Sequence, residues 1–180
     1  MLQFAKLGFD ASIYELFPVL TAGGTLVFPE EADRHNLSRL LDFIQEERIS
    51  VAVIPPSLLS VLPYREIPTL QTIVHGGETT PKSIQLLWSR HYRLSIGYGP
   101  TENTVMSTYQ DISDELPAYN IGKALPGVST YVVDKHMRLL PDYVQGQLFI
   151  GGRQLTAGYI ARDDINKKKF TRNPFSTPEN

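Results

Sequence analysis

Arg93-Leu94-Ser95-Ile96-Gly97-Tyr98-Gly99-Pro100-Thr101-Glu102-Asn103-Thr104 is the stretch on which the reading of this chain turns. Its first six residues, Arg93 to Tyr98, read as a strand that stops at Gly99-Pro100. Proline fixes its own φ and restricts the residue before it, so the strand must end in an abrupt turn. That turn carries chemistry. Tyr98 offers a flat face for stacking, Thr101 a hydroxyl, and Glu102 a carboxylate able to reach a phosphate-bound magnesium ion. Taken alone, a β-turn with polar residues accounts for the same letters.

Working back from this strand, Pro81 suits the first turn of a helix running to about His91. Thr72 to His75 reads as another strand, ended by Gly76-Gly77. Ser50 to Ile54 is β-branched and closed by Pro55-Pro56, and a short helix follows from Ser57 to Leu62. Leu37, Leu40, Leu41 and Ile44 recur at helical spacing after a start signal at Asn36 or Ser38. Thr25 to Phe28, after Gly23-Gly24, and Phe4 to Phe9 read as strands, and Ala11 to Leu20 as a helix. Strands separated by helices of this length imply parallel βαβ units, so residues 1–116 are expected to form an α/β subdomain. Ligands in such sheets gather at the carboxyl edges of the strands. Here those edges carry Asp10, Val53 to Pro55, His75 to Glu78, and Gly97 to Glu102.

Beyond Leu116 helical periodicity disappears. Thr130 to Val133 and Gln147 to Ile150 read as short strands between turn signals at Pro126-Gly127, Pro141-Asp142 and Gly151-Gly152. Residues 117–180 are therefore expected to form a small β-rich subdomain resembling a distorted barrel, with a short helix from Asp163 or Asp164 to Lys169 and a cut tail.

Composition narrows the function. The 180 residues are 42% hydrophobic and 20% charged, a globular mix, and the formal charge of −2 gives no basic surface for nucleic acid. Without cysteine, disulfide scaffolds and thiolate metal sites are excluded and a cytoplasmic protein is the default. No apolar run reaches the length of a membrane span. His35, His75, His91 and His136 are scattered without partners at ligand spacing, so no histidine metal site is expected, and His75 reads as a satisfied structural residue. Asp10, between an apolar strand and an apolar helix, either caps that helix or serves as a buried anion for a ligand.

Four stretches occur in order: Phe9-Asp10-Ala11-Ser12, His75-Gly76-Gly77-Glu78, the Tyr98-to-Glu102 turn, and Gly146-Gln147-Leu148-Phe149-Ile150-Gly151-Gly152 followed by Gly158-Tyr159. Together they resemble the amino-acid adenylation domains of nonribosomal peptide synthetases, within the adenylate-forming superfamily. The resemblance runs along nearly the whole chain, to Asn173-Pro174-Phe175.

It implies an enzyme that uses ATP and Mg2+ to activate an amino acid, which then passes to the phosphopantetheine thiol of a carrier-protein domain beside a condensation domain. Asp10 would pair with the substrate ammonium. Ala11, Tyr14, Val53, Val74, Gly76, Gly97, Val105 and Met106 would line the side-chain pocket. That set carries no charge and one polar tip, so a neutral apolar amino acid is the expected substrate. Gly76, Gly77, Glu78, Tyr98, Gly99 and Thr101 would contact the nucleotide. Thr101 and Glu102 would be the catalytic pair, Glu102 holding magnesium.

Three positions depart from the family pattern. Ile96 replaces the asparagine that meets the adenine amino group, Gln147 stands for glutamate, and Ala157 for arginine. The family's phosphate loop, its Y-R-T-G-D stretch and its C-terminal lysine are not found. The chain is therefore expected to be an internal piece of the large subdomain, inactive alone. Two other readings stay open: an acyl-CoA or aryl-acid ligase, to which Asp10 would be of no use, and a non-catalytic α/β nucleotide-binding module.

Overall fold

A computed structural model describes residues 1–113 and 119–175. Its main sheet has five strands in the order β1 (Val51–Val53), β2 (Thr72–Gly76), β3 (Arg93–Tyr98), β4 (Thr108–Asp111) and β5 (Lys123–Ala124). β1, β2 and β3 run parallel, as the alternation of strands and helices requires, and β4 and β5 add on antiparallel. Because β5 belongs to this sheet, its ladder continues past the boundary expected at 116–117, which itself lies outside the described residues. So does the expected cut tail at 176–180. A second sheet pairs β6 (Val128–Val133) with β7 (Gln147–Gly152) antiparallel, and Val133 also bridges Leu139.

The helices are α1 (Ala11–Thr21), α2 (Glu31–Arg34), α3 (Leu37–Glu46), α4 (Pro56–Leu59), α5 (Lys82–Ser89) and α6 (Asp163–Lys169). α3 forms where its apolar period predicts, burying Leu40, Leu41 and Ile44, and the Asn36 side chain accepts from the backbone N–H of Ser38 and Arg39. Those side chains join Leu2, Ile49, Ala52, Ile54, Ile73, Leu94 and Trp88 in one apolar core on one face of the parallel strands. Trp88 places α5 there and donates its indole N–H to Leu59 O at 3.2 Å. None of the described helices is long and apolar enough to cross a membrane.

The strands expected at Phe4–Phe9 and Thr25–Phe28 do not form. Only an isolated parallel bridge, Leu2 to Val27, remains. The backbone N–H groups of Phe4 and Ala5 are taken by the Glu15 carboxylate at 3.0 Å, so they cannot join a ladder. Phe9 N–H turns back to Lys6 O at 2.9 Å. At the carboxyl edge of the main sheet Gly76 faces Gly97, and a Cβ on Gly76 would collide with the Gly97 carbonyl. Glycine there lets β2 and β3 stay paired up to the site.

Candidate functional site

The carboxyl edges of β1, β2 and β3 and the start of α1 enclose a cavity of about 130 Å³. Asp10, Ala11 and Tyr14 come from the start of α1, and Val53 from β1. Val74 and Gly76 come from β2, Gly97 from β3, and Val105 and Met106 from the segment after the turn. All nine residues assigned to the amino-acid pocket from sequence therefore meet in one cavity. His75, Gly77 and Gly99 join them.

Asp10 is the only charged residue of that lining. It sits at the N-terminal boundary of α1, yet its side chain makes no capping hydrogen bond. The Asp10 carboxylate instead accepts the Thr101 hydroxyl at 2.5 Å, across 91 positions of sequence. Of the two roles open to Asp10 on sequence grounds, the structure excludes the cap. Ser12 tightens the entry to the helix by donating to Phe9 O at 2.7 Å. Burial pushes the Tyr14 hydroxyl pKa up, keeping that wall uncharged.

Alternate residues of an extended chain face opposite sides. Gly97 and Gly99 accordingly line the first cavity, while Tyr98 and Pro100 line a second, of about 310 Å³, with Glu102, Lys169 and Phe170. The residues assigned to the nucleotide from sequence are thus divided. Gly76, Gly77 and Gly99 lie on the first cavity and Tyr98 on the second, beside the magnesium candidate Glu102, while Thr101 lines neither and reaches the first only through its bond to Asp10. Glu78 lines neither and accepts from Ser57 N–H at 3.1 Å. Ile96 is buried, so no donor stands where the family pattern has asparagine.

Thr101, Glu102 and Asn103 form a 3-10 turn. The backbone then passes through two consecutive left-handed residues, Thr104 at φ 50° and Val105 at φ 66°. Both are β-branched, a costly conformation that the surroundings must hold. The Tyr159 hydroxyl donates to Glu102 Oε1, which holds the Glu102 carboxyl below its usual pKa and raises that of Tyr159. Glu102 is therefore anionic at neutral pH and partly exposed, a hard oxygen donor of the kind magnesium takes.

Two parts of this site had no sequence reading. Tyr159 belongs to a quoted stretch, but nothing in its spacing points to Glu102. Glu15 is fully buried and accepts from Gln3 Nε2 at 3.1 Å as well as from the backbone of Phe4 and Ala5. It fixes the segment leading to Asp10, and only its position five residues after Asp10 on the helix could have marked it.

Comparison with known proteins agrees with this geometry. Residues 1–160 match the profile of the AMP-binding enzyme family. Surfactin synthase subunit 1 of Bacillus subtilis (strain 168) is 34% identical over 173 residues, covering 96% of this chain and 5% of that protein. The nonribosomal peptide synthetase FmoA3, solved in its AMPPNP-bound form, superposes with a TM-score of 0.87 at 25% identity, over 96% of this chain and 20% of that one. PA1221, a nonribosomal peptide synthetase protein containing adenylation and PCP domains, superposes with a TM-score of 0.78 at 26% identity, over 88% of this chain and 34% of that one. The chain thus spans a small part of the length of its relatives. It belongs to the AMP-binding enzyme family, and within that family it resembles the adenylation domains of nonribosomal peptide synthetases.

Proposed function

We propose that this chain binds the amino acid and part of the ATP in an enzyme that forms an aminoacyl adenylate and passes the acyl group to a carrier-protein phosphopantetheine thiol. One observation carries the reading: a single carboxylate, Asp10, stands in a cavity otherwise lined by uncharged groups and is hydrogen-bonded to Thr101. A substrate with an ammonium group and a neutral apolar side chain matches that lining. A charged side chain would lie there without a partner. Residues 1–116 would hold amino acid and nucleotide, and 117–180 would supply the β-rich wall that meets Glu102.

The chemistry needs no general base. An oxygen of the substrate carboxylate, already an anion at neutral pH, bonds to the α-phosphorus of ATP, and the bond to pyrophosphate breaks. The protein contributes alignment, through Asp10 on the ammonium and Thr101 on the phosphate side. ATP arrives with magnesium, which neutralises phosphate charge, and Glu102 is the side chain that would hold it. The PCP domain of PA1221 supports a carrier partner, and a condensation domain beside it would belong to the same assembly. Because the chain spans 34% or less of the proteins compared, the activity is proposed for the enzyme that carries it.

Amino-acid-dependent exchange of pyrophosphate into ATP tests this. Apolar amino acids are expected to support exchange, and their desamino analogues are not. Asp10→Ala is expected to lower kcat/KM for the amino acid by roughly one to three decades while the protein stays folded. Equal exchange with the desamino acid, or near-wild-type activity in Asp10→Ala, would refute the assignment of Asp10.

A further inference from the structure

The left-handed pair Thr104–Val105 aims Val105 and Met106 into the cavity, and Met106 lies against Gly97, where a Cβ would collide with its Cε. Inside the turn, Met106 N–H closes on Thr104 O at 2.8 Å across Val105, a single bond to hold two β-branched residues in this conformation. A further holding group comes from the loop that follows β7. The half-buried Gln154 side chain donates through Nε2 to two backbone carbonyls, Asn103 O at 2.9 Å and Met106 O at 2.7 Å. These are the carbonyls on either side of the left-handed pair. The Thr104 hydroxyl donates back to Gln154 O at 2.6 Å. The loop carrying Gln154 is tied to β6–β7 by Arg153 N–H on Gly127 O at 3.2 Å and Leu155 N–H on Gly152 O at 3.3 Å.

We propose that Gln154 is a positioning residue for amino-acid selectivity: it clamps the Thr104–Val105 turn and so sets where Val105 and Met106 stand in the pocket. This rests on the amino-acid-activating reading above. The Gln154 amide spans the left-handed pair, from Asn103 O to Met106 O. Thr101 and Glu102 have their own ties, namely Thr104 N–H on Thr101 O, Thr156 N–H on Glu102 O, and Tyr159 on the Glu102 carboxylate. Loss of the Gln154 amide should therefore be felt by the amino acid and little by ATP.

Gln154→Met keeps length and removes both donors. Gln154→Glu keeps shape and sets a carboxylate against two carbonyls. In the enzyme carrying this chain, both are expected to raise KM for the preferred apolar amino acid about tenfold, on the scale of one to two lost hydrogen bonds. KM for ATP should stay within about twofold, and the preference between apolar amino acids of different size should shrink, since the pocket wall is no longer fixed. A second readout is independent of turnover. Hydrogen exchange of the Met106 and Ser107 amides, which bond Thr104 O and Tyr98 O, should quicken about tenfold in both variants.

Equal rises of KM for amino acid and ATP with preference intact, or unchanged amide exchange, overturn the proposal. If the wild-type enzyme shows no amino-acid-dependent exchange of pyrophosphate, the activating reading fails and the selectivity role falls with it. Amide exchange then decides the clamp alone.

Discussion

His75 is the residue whose surroundings depart furthest from its sequence reading as a satisfied structural histidine. It is wholly buried in β2 and lines the candidate pocket. Its Nδ1 meets the Thr80 hydroxyl at 2.9 Å, but Nε2 has no hydrogen-bond partner. Burial lowers its pKa from 6.5 to about 4, so it is neutral at physiological pH. In the unfolded chain the same ring takes up a proton near pH 6.5, and in the folded chain only near 4. Between those values the unfolded state binds more protons, so folding stability is full above 6.5 and is lost as pH falls through this window. From pH 7 to pH 5 this group alone should cost about 2 kcal/mol. Denaturant melts of wild type and His75→Asn, which keeps an acceptor for Thr80, check it. The variant should lose most of the pH slope, and an unchanged slope would assign the effect to other groups. Sequence placed His75 at the strand end because strand and glycines mark that edge. It could not give the missing partner, which depends on what packs across the sheet.

At the scale of elements, legibility followed the source of each element's stability. α3, β2, β3 and α6 carry their own signals and form within a residue or two of the expected bounds. β4 was unread because Thr108-Tyr109-Gln110-Asp111 is polar and finds its place only through antiparallel pairing with β3. α1 is more instructive, since its burial runs opposite to its composition. It buries Ser12 and Glu15 while Ile13, Phe17 and Leu20 are exposed. The helix is held inward by Glu15 on the Phe4 and Ala5 backbone rather than by an apolar stripe, and this cost the first expected strand its ladder donors. Glu15→Ala would leave two partly buried backbone N–H groups without their acceptor, while the Gln3 amide keeps Ala5 O. At about 1–3 kcal/mol for each group left unpaired, a loss of about 2 kcal/mol or more is expected, with Glu15→Gln, which keeps one acceptor oxygen, roughly half as harmful. Chemical denaturation measures both. A cost below about 1 kcal/mol for Glu15→Ala would mean that water replaces the carboxylate and that α1 is held by something else.

Across the whole molecule, the two sheets meet at the turn that carries Thr101 and Glu102. Thr156 N–H reaches Glu102 O at 2.8 Å, and Gln154 and Tyr159, from the segment that follows β7, add side-chain bonds to the same short turn. These partners lie about 50 to 60 positions apart and follow no period, so nothing in the sequence announces them. The pocket residues could be named through family resemblance, but their fastening could not. The fastening has a thermodynamic consequence. If these bonds join the sheets into one cooperative unit, probes placed in different parts must report a single transition. Trp88, the sole tryptophan, lies in the core beside the parallel strands, so its fluorescence reports that sheet alone, whereas far-UV circular dichroism reports both. In wild type the two unfolding curves should coincide. In the double variant Gln154→Met/Tyr159→Phe, which removes three cross-sheet hydrogen bonds worth about 1 kcal/mol each, the dichroism curve should begin to fall at lower denaturant than the fluorescence curve. Curves that still coincide in the double variant would show that backbone contacts such as Thr156 to Glu102 suffice to couple the sheets. Curves that already separate in wild type would show that the two sheets are not one folding unit.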